Sequence, residues 1–274
     1  TRQQIPTYYA DRARLLLLDR QRGGTRDLTG DWERSAAGLR WRPDSRAVYG
    51  QIDDSATNRI WRFDLAAPGR PRPVTAASSF SGLALAREGD AKPVAVAIRQ
   101  SFSEPPTLVR LDLGSGAATA LSTFDAATLA AIRQGRVESV TYRGARDRDI
   151  QMWVVYPPDF DPARKYPVLM LLHGGPHNTI QDSVQWRWNA QVFASWGYVV
   201  TWHNFHGSSG FGHDFADSIN PDRITLPYED TIKAADWLAA QPWADRERFV
   251  AAGASYGGFL ASTLLGRPHP FKAL

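Results

Sequence analysis

Short alternating runs of apolar and polar residues fill the first 125 positions, a pattern that indicates β-strands. Three segments share one plan: an apolar run, an aspartate, a turn containing glycine or proline, then a hydrophobic residue followed by Thr or Ser. They are residues 15–29, 60–75 and 107–122. Their aspartates, Asp19, Asp64 and Asp112, lie 45 and 48 residues apart, the length of a four-stranded propeller blade. The spacing predicts propeller blades, with a β-sandwich of accidental spacing as the alternative.

A tight turn between two such strands is predicted at "WRPDS", residues 41–45, where Pro43 sets the turn and Asp44 accepts backbone hydrogen bonds. About three blades fit into residues 1–125, whereas closed propellers typically need four to eight. An unclosed set of blades leaves sheet edges bare. We therefore expect this half to be the end of a longer propeller.

From about residue 126 strands alternate with helices. "DAATLAAIRQG" predicts a short helix closed by Gly135, and "VESVTYRG" with "IQMWVVYPP" predicts a hairpin. The run "PVLMLLHGG" is typical of a strand buried on both faces. The following segments predict helix, strand, helix and strand in turn: "SVQWRWNAQVFASWG", "YVVTWHNF", "PYEDTIKAADWLAAQ" and "RFVAAGAS". This order favours a mostly parallel sheet with functional residues at the carboxyl ends of its strands.

Composition excludes several classes of protein. Hydrophobic residues make up 43% and charged residues 22%, as in ordinary globular chains, and no run of 18 apolar residues offers a membrane span. The net charge of +4 comes from arginines that alternate with acids, which indicates solvated surface rather than a nucleic-acid site. The absence of cysteine excludes disulfides and a thiol nucleophile. The opening "TRQQIPTYYADRAR" lacks the apolar core of a signal peptide, so either a leader was removed or the chain begins mid-protein.

No cofactor or metal is expected. Phosphate-binding loops are absent, and "HGSSGFG" is too loose for a dinucleotide fingerprint without its acidic partner. Asp214 and Asp217 near His213 could imitate a metal site, but we favour a solvated loop or helix start.

Ser255 is the candidate nucleophile. In "GASYG", residues 253–257, it ends a predicted strand and begins the apolar segment "FLASTLL", which suits a helix. A nucleophile elbow has this arrangement, because small residues two before and two after the strained serine let strand and helix pack closely. Gly258 is expected to allow a still closer approach of the helix.

The glycine-rich "HGGPH", residues 173–177, follows a predicted strand, where α/β-hydrolases place half of their oxyanion hole. The backbone N–H of Gly175 is expected to point at the same oxygen as the N–H of Tyr256. His173 is a tempting base, but we favour a loop histidine that holds the bend, because in this fold the base follows the serine.

A set of motifs resembles a known family. "HGGPH", "NFHGSSGFGHDF", "PYEDTIKAADWL", "GASYGGF" and "RPHPFKAL", in that order after a propeller, resemble the prolyl oligopeptidase family of serine peptidases. "HGGP" with "WRWNAQVFASWGYVV" is most similar to the acylaminoacyl peptidase and bacterial dipeptidyl peptidase branch. The sequence departs from the family at His206, where many relatives carry arginine, and at "NPDRITLPYED", which lacks the usual Trp-Gly before its helix.

The resemblance implies a fold and a set of roles. The fold is an α/β-hydrolase domain over residues 126–274, incomplete at its C-terminal end, preceded by a partial β-propeller of about three blades over residues 1–125. Ser255 would be acylated, while the N–H groups of Tyr256 and Gly175 would bind the oxyanion. The Tyr256 ring would line the pocket for the residue before the cut bond. Oligopeptides would be the substrates, and the propeller would exclude folded proteins.

The catalytic acid and base are not evident. After Ser255 the chain has no Asp or Glu and a single histidine, His269. That histidine lies beyond a helix spanning about 15 Å, too far to return easily to the serine. We therefore expect the chain to be an amino-side or interior piece of a hydrolase, with "FKAL" as the start of the next strand.

Three functions remain open at this point: a serine peptidase that cleaves short peptides near the N-terminus, an esterase on the same elbow, and a non-catalytic interaction protein. The resemblance favours the first, with a periplasmic or secreted location and a possible homo-oligomer, and without a nucleic-acid or membrane partner.

Overall fold

The computed structural model describes residues 1–5, 8–87, 93–124, 126–220 and 222–274. They divide into two compact units. Unit 1 consists of Thr1–Ala126, Gln181–Ser183 and Gly210–His213. Unit 2 consists of Ala127–Ile180, Val184–Ser209 and Asp214–Leu274.

The strands of unit 1 are all paired antiparallel. They are β1 (Leu16–Leu18), β2 (Thr25–Asp27), β3 (Arg40–Trp41), β4 (Ala47–Asp54), β5 (Thr57–Asp64), β6 (Arg72–Pro73), β7 (Ser79–Arg87), β8 (Pro93–Gln100), β9 (Thr107–Leu111) and β10 (Ala118–Ala120). β3 to β6 form one four-stranded sheet in chain order, and β7 to β10 form another. Two of the predicted repeats thus lie in four-stranded sheets. The first forms the two-stranded hairpin of β1 and β2.

The aspartates of the repeat have a turn-forming role in two of three cases. The carboxylates of Asp19 and Asp112 each accept hydrogen bonds from the amides two and three residues later. Asp64 instead pairs with the Arg62 guanidinium. Asp44 accepts the amide of Arg46 at 3.1 Å, which confirms the predicted turn at residues 41–45.

The core of unit 1 lies between the two four-stranded sheets. One cluster joins β4 and β5 to the second sheet, and its large members are Tyr49, Ile60, Phe80, Leu83, Val109 and Leu111. The opposite faces of β4 and β5 supply a second cluster, which includes Val48, Ile52 and Phe63. Both faces are covered because successive side chains of a strand point to opposite sides. Burial of each such side chain stabilises the fold by about 1.5–3 kcal/mol.

Unit 2 is built on one five-stranded sheet. Its strands are β11 (Val137–Arg143), β12 (Asp149–Val155), β13 (Tyr166–Leu172), β14 (Val199–His203) and β15 (Ala244–Gly253). The spatial order is β11-β12-β14-β13-β15. β13 is parallel to both β14 and β15. β12 is antiparallel to β11 and to β14. The expectation of a mostly parallel sheet therefore holds for three strands only, because a short connection forces β11 and β12 into a hairpin.

Five α-helices are found in the described residues: α1 (Ala126–Ala131), α2 (Ala190–Ser195), α3 (His213–Asp217), α4 (Thr225–Ala239) and α5 (Tyr256–Leu265). None of them is both long and apolar enough to cross a membrane. α2 is much shorter than predicted because the Asn189 side chain caps it by accepting the amide of Gln191. α1 ends four residues before Gly135. That glycine is instead required where the chain passes the carbonyl of Tyr156, since a Cβ would lie 1.6 Å from that oxygen.

Two strands, β13 and β15, lead to the candidate site. β13 is buried along nearly its whole length, as its continuous apolar sequence predicts. Near the end of the chain, Ala273 forms a parallel bridge with Val250 of β15. The segment predicted as the start of a next strand thus lies beside β15.

Candidate active site

Ser255 lies at the sharp turn between β15 and α5. Its backbone has φ 57° and ψ −124°, a sparsely populated conformation that costs a non-glycine residue about 1–3 kcal/mol. The residue is exposed. Of the residues that the structure describes, none forms a hydrogen bond with the Ser255 hydroxyl. The fold therefore holds an available hydroxyl in a strained, outward position.

The strain depends on two glycines. A Cβ at Gly253 would lie 2.4 Å from the carbonyl oxygen of Gly257. A Cβ at Gly257 would lie 2.0 Å from the carbonyl oxygen of Leu172, at the end of β13. At either position the Cβ of any other residue would clash with a backbone carbonyl. Gly258, from which an even closer approach was expected, is different: its Cβ would lie 3.4 Å from the nearest atom, an ordinary contact.

The glycine loop after β13 lies against the serine. A Cβ at Gly174 would come within 3.1 Å of the Ser255 Cβ and 3.7 Å of its Oγ. The next residue, Gly175, has φ +60° and turns the chain away. Neither the amide of Gly175 nor that of Tyr256 donates a hydrogen bond to any part of the chain that the structure describes. Beside Ser255 the chain thus offers two N–H groups that no described residue accepts, one from Tyr256 and one from the glycine loop.

His173 supports the glycine loop and does not touch the serine. Its ring is 2% exposed and stacks on Phe205 with centroids 4.0 Å apart. Its Nε2 lies 3.0 Å from the Ser208 Oγ. Burial lowers the pKa of His173 to about 4, so the ring is neutral near pH 7. These contacts agree with its interpretation as a loop histidine.

A buried carboxylate that sequence reasoning missed supports the same region. Asp230 of α4 accepts the amide and the Nδ1–H of His206 on one oxygen, at 2.7 and 2.8 Å. Its other oxygen accepts the amide of Ala145 at 2.8 Å. His206, where the sequence was expected to depart from the family, is thus the ionisable partner of this carboxylate.

The missed residue had a signal in the sequence. Asp230 is spaced by four and eight residues from the apolar positions Leu226, Ala234 and Leu238, all of which are buried. An acidic residue on the apolar face of a helix indicates a buried partner.

The Tyr256 side chain lies between two aromatic rings. Its centroid is 5.7 Å from that of Phe205 and 5.7 Å from that of Phe259. Its hydroxyl donates a hydrogen bond to the carbonyl of Arg223. Burial raises the pKa of the phenol, which therefore remains a neutral donor.

His269 has other contacts. Its Nδ1 accepts the amide of Phe271 at 3.2 Å, and the two rings stack at 6.0 Å. It does not hydrogen-bond to Ser255, from which the whole of α5 separates it. At the other predicted cluster, His213 donates from Nδ1 to the carbonyl of Ala10. Across the described ranges, no three His, Asp or Glu side chains gather as metal ligands.

Residues 184–274 match the prolyl oligopeptidase family. The chain is similar to dipeptidyl-peptidase 5 of Porphyromonas gingivalis, with 30% identity over 260 residues, which is 94% of this chain and 37% of that protein. It is 31% identical over 279 residues to a probable dipeptidyl-peptidase 5 of Aspergillus clavatus, covering 98% of this chain and 37% of that one. The chain thus spans little more than a third of the length of these relatives.

The fold is also similar to a solved structure. Acylaminoacyl peptidase of Pyrococcus horikoshii superposes with a TM-score of 0.81 at 22% identity. The match covers 97% of this chain and 40% of that one. At this identity the likeness is one of fold.

Proposed function

The chain belongs to the prolyl oligopeptidase family, and from that premise we propose that it carries the nucleophile of a serine peptidase acting on short peptides. Relatives named dipeptidyl-peptidase 5 support cleavage near the N-terminus of the peptide. The solved acylaminoacyl peptidase supports release of an acylated amino acid as the other form of the same reaction.

The observation that carries this proposal is the backbone of Ser255. A positive φ at a non-glycine residue is costly, and here it is held by the close backbone contacts of Gly253 and Gly257. Gly174 packs against the serine side chain. Packing maintains this strain and leaves the Ser255 hydroxyl exposed, with no hydrogen-bond partner among the described residues. Such an arrangement is typical of a nucleophile elbow.

The proposed reaction begins when the Ser255 Oγ attacks the carbonyl carbon of the cut bond. The oxygen that gains negative charge would lie against the amides of Tyr256 and Gly175, which have no other hydrogen-bond partner in the described residues. One such donor contributes about 3 kcal/mol to transition-state stabilisation in other serine hydrolases. Collapse of the intermediate breaks the C–N bond, releases the amine and leaves an acyl group on Ser255.

The reaction requires a base that accepts the serine proton and passes it to the leaving amine. In this fold the acid and then the base follow the serine in the chain. His269, the histidine that follows Ser255 here, binds Phe271 instead. The proposal assigns neither role to it.

We also propose that the two four-stranded antiparallel sheets of unit 1 are propeller blades. The support is their strand order, which follows the chain from β3 to β6 and from β7 to β10. The shared turn at Asp19 and Asp112 supports the same conclusion.

The test is labelling of Ser255 by a peptidyl organophosphonate in protein produced from the complete gene. We expect one adduct, located on Ser255 by mass spectrometry and lost in Ser255→Ala. Ser262→Ala is the matched control, because that serine is exposed on the same helix and should leave labelling unchanged. Absence of an adduct on the folded protein would overturn the proposal and favour the non-catalytic function.

Esterase activity is the second candidate, since the same elbow geometry serves ester cleavage. The two are separated by comparing kcat/KM for a peptide p-nitroanilide with that for the ester of the same acyl group. Activated esters react faster with most serine hydrolases, so complete lack of turnover of the anilide is the result that favours the esterase.

A further inference from the structure

Arg223 is an exposed cation close to the candidate nucleophile. Its backbone carbonyl accepts the hydroxyl hydrogen of Tyr256, the residue next to Ser255. Its guanidinium forms no ion pair or hydrogen bond with the residues that the structure describes. The Tyr256 side chain thus holds the backbone of Arg223 beside the elbow, and the guanidinium has no partner among the described residues.

The charge of Arg223 affects the pKa values of two residues of the site, Tyr256 and His177. Burial raises the pKa of Tyr256, and Arg223 acts against this rise. Burial lowers the pKa of His177, which follows the glycine loop, and Arg223 lowers it further. These effects agree with the hydrogen bond from the Tyr256 hydroxyl to the Arg223 carbonyl, which places the residue beside the elbow.

The neighbouring carboxylate is already occupied. Asp222 accepts the amides of Ile224 and Thr225 on one oxygen and the Thr225 hydroxyl on the other. It thereby satisfies the first turn of α4, where negative charge is favourable. The Asp222 carboxylate is thus hydrogen-bonded to the start of α4. The Arg223 guanidinium remains available to bind an anion from solution.

We propose that Arg223 binds a carboxylate of the substrate, so that the protein prefers peptides with an acidic group beside the cut bond. The proposal rests on the proposed peptidase function and specifies its substrate class. Guanidinium and carboxylate match in shape and form paired hydrogen bonds.

Two sources could supply the carboxylate: an acidic side chain, or the terminal carboxylate of a very short peptide. Three pairs of tetrapeptides distinguish them. The first pair carries Glu or Gln before the cut bond, the second carries Glu or Gln after it, and the third ends in a free carboxylate or a carboxamide. Each pair differs by one charge and little in shape.

The experiment measures kcat/KM for each pair with protein from the complete gene. We expect the acidic member of at least one pair to be favoured about threefold to fivefold, the effect of an exposed ion pair. The preference should vanish in Arg223→Gln and diminish in 0.5 M salt. Arg246→Gln is the matched control, because it removes an exposed arginine at the opposite end of β15 and should preserve the preference.

Calorimetric measurement of the binding of the same tetrapeptides to Ser255→Ala separates this inference from the peptidase function. If the wild-type protein cleaves peptides but shows no preference in any pair, or keeps its preference in Arg223→Gln, the carboxylate proposal is wrong and the peptidase stands. If no peptide is cleaved and Ser255 is not labelled, the peptidase proposal fails. An Arg223-dependent preference in binding would then still establish the carboxylate site.

Discussion

At the scale of single residues, the nucleophile elbow is a steric arrangement. Ser255 occupies its strained backbone conformation because Gly253 and Gly257 bring β15, α5 and the end of β13 into direct backbone contact. Packing elsewhere in unit 2 offsets the free-energy cost of this strained backbone conformation. Backbone contacts of this kind tolerate no side chain, so adjacent glycines of α5 should respond very differently to substitution.

Gly257→Ala should destabilise the protein by about 3 kcal/mol, because its methyl group would overlap the carbonyl of Leu172. Gly258→Ala, the matched control, should leave stability unchanged or raise it by up to about 1 kcal/mol, since alanine favours a helix and the contact is ordinary. Denaturant unfolding measures both. Equal effects of the two variants would contradict this account of the elbow.

At the scale of elements, α4 holds the loop after β14 in place. Asp230 binds the amide and ring of His206. The next two residues of that loop contact the glycine loop: the Gly207 carbonyl accepts from His177, and Ser208 contacts His173. Buried and partly buried hydrogen bonds thus connect the middle of α4 to the loop that flanks Ser255.

Asp230→Asn should lower stability by about 2–3 kcal/mol, because the amide NH2 would face a buried donor and leave it unpaired. It should also slow labelling of Ser255, since the loop that supports the glycine loop loses a partner. Asp236→Asn, an exposed site on the same helix, is the control for loss of one charge. Normal labelling and stability in Asp230→Asn would show that this network does not position the site.

At the scale of the whole molecule, buried histidines couple stability to pH. Burial lowers the pKa of His173 to about 4 and that of His203 to about 3. The His203 Nε2 faces the Thr231 hydroxyl, whose own hydrogen goes to Pro227. Nε2 therefore carries the proton, and the buried Nδ1 has no partner among the described residues. A second proton there would have no acceptor.

The free energy of unfolding should fall as the pH falls from about 6.5 towards 4. In that window the unfolded chain binds protons at both histidines and the folded chain does not, so acid favours unfolding. Each histidine contributes at most about 1.4 kcal/mol per pH unit. His203→Gln should reduce this slope when denaturant unfolding is compared at pH 7, 6 and 5. An unchanged slope would show that His203 is protonated equally in both states.

The local chemistry of the chain could be predicted from the sequence. The turn at Asp44, the hairpin of β11 and β12, the buried strand β13 and the strand-to-helix turn at Ser255 each depend on residues a few positions apart. Polar and apolar alternation, turn-forming residues and glycine spacing act over that range. The sequence alone therefore determined these four local features, including which serine precedes α5.

Only the tertiary structure decided which distant residues meet. The antiparallel placement of β12 beside β14, the pairing of His206 with Asp230 and the choice of Gly257 over Gly258 as the point of closest approach all depend on packing. So does the position of Arg223 beside Tyr256, 33 residues away. Such contacts join segments that share no local pattern. Burial stabilises any pair of complementary surfaces, so the sequence around one residue does not indicate which distant residue it will contact.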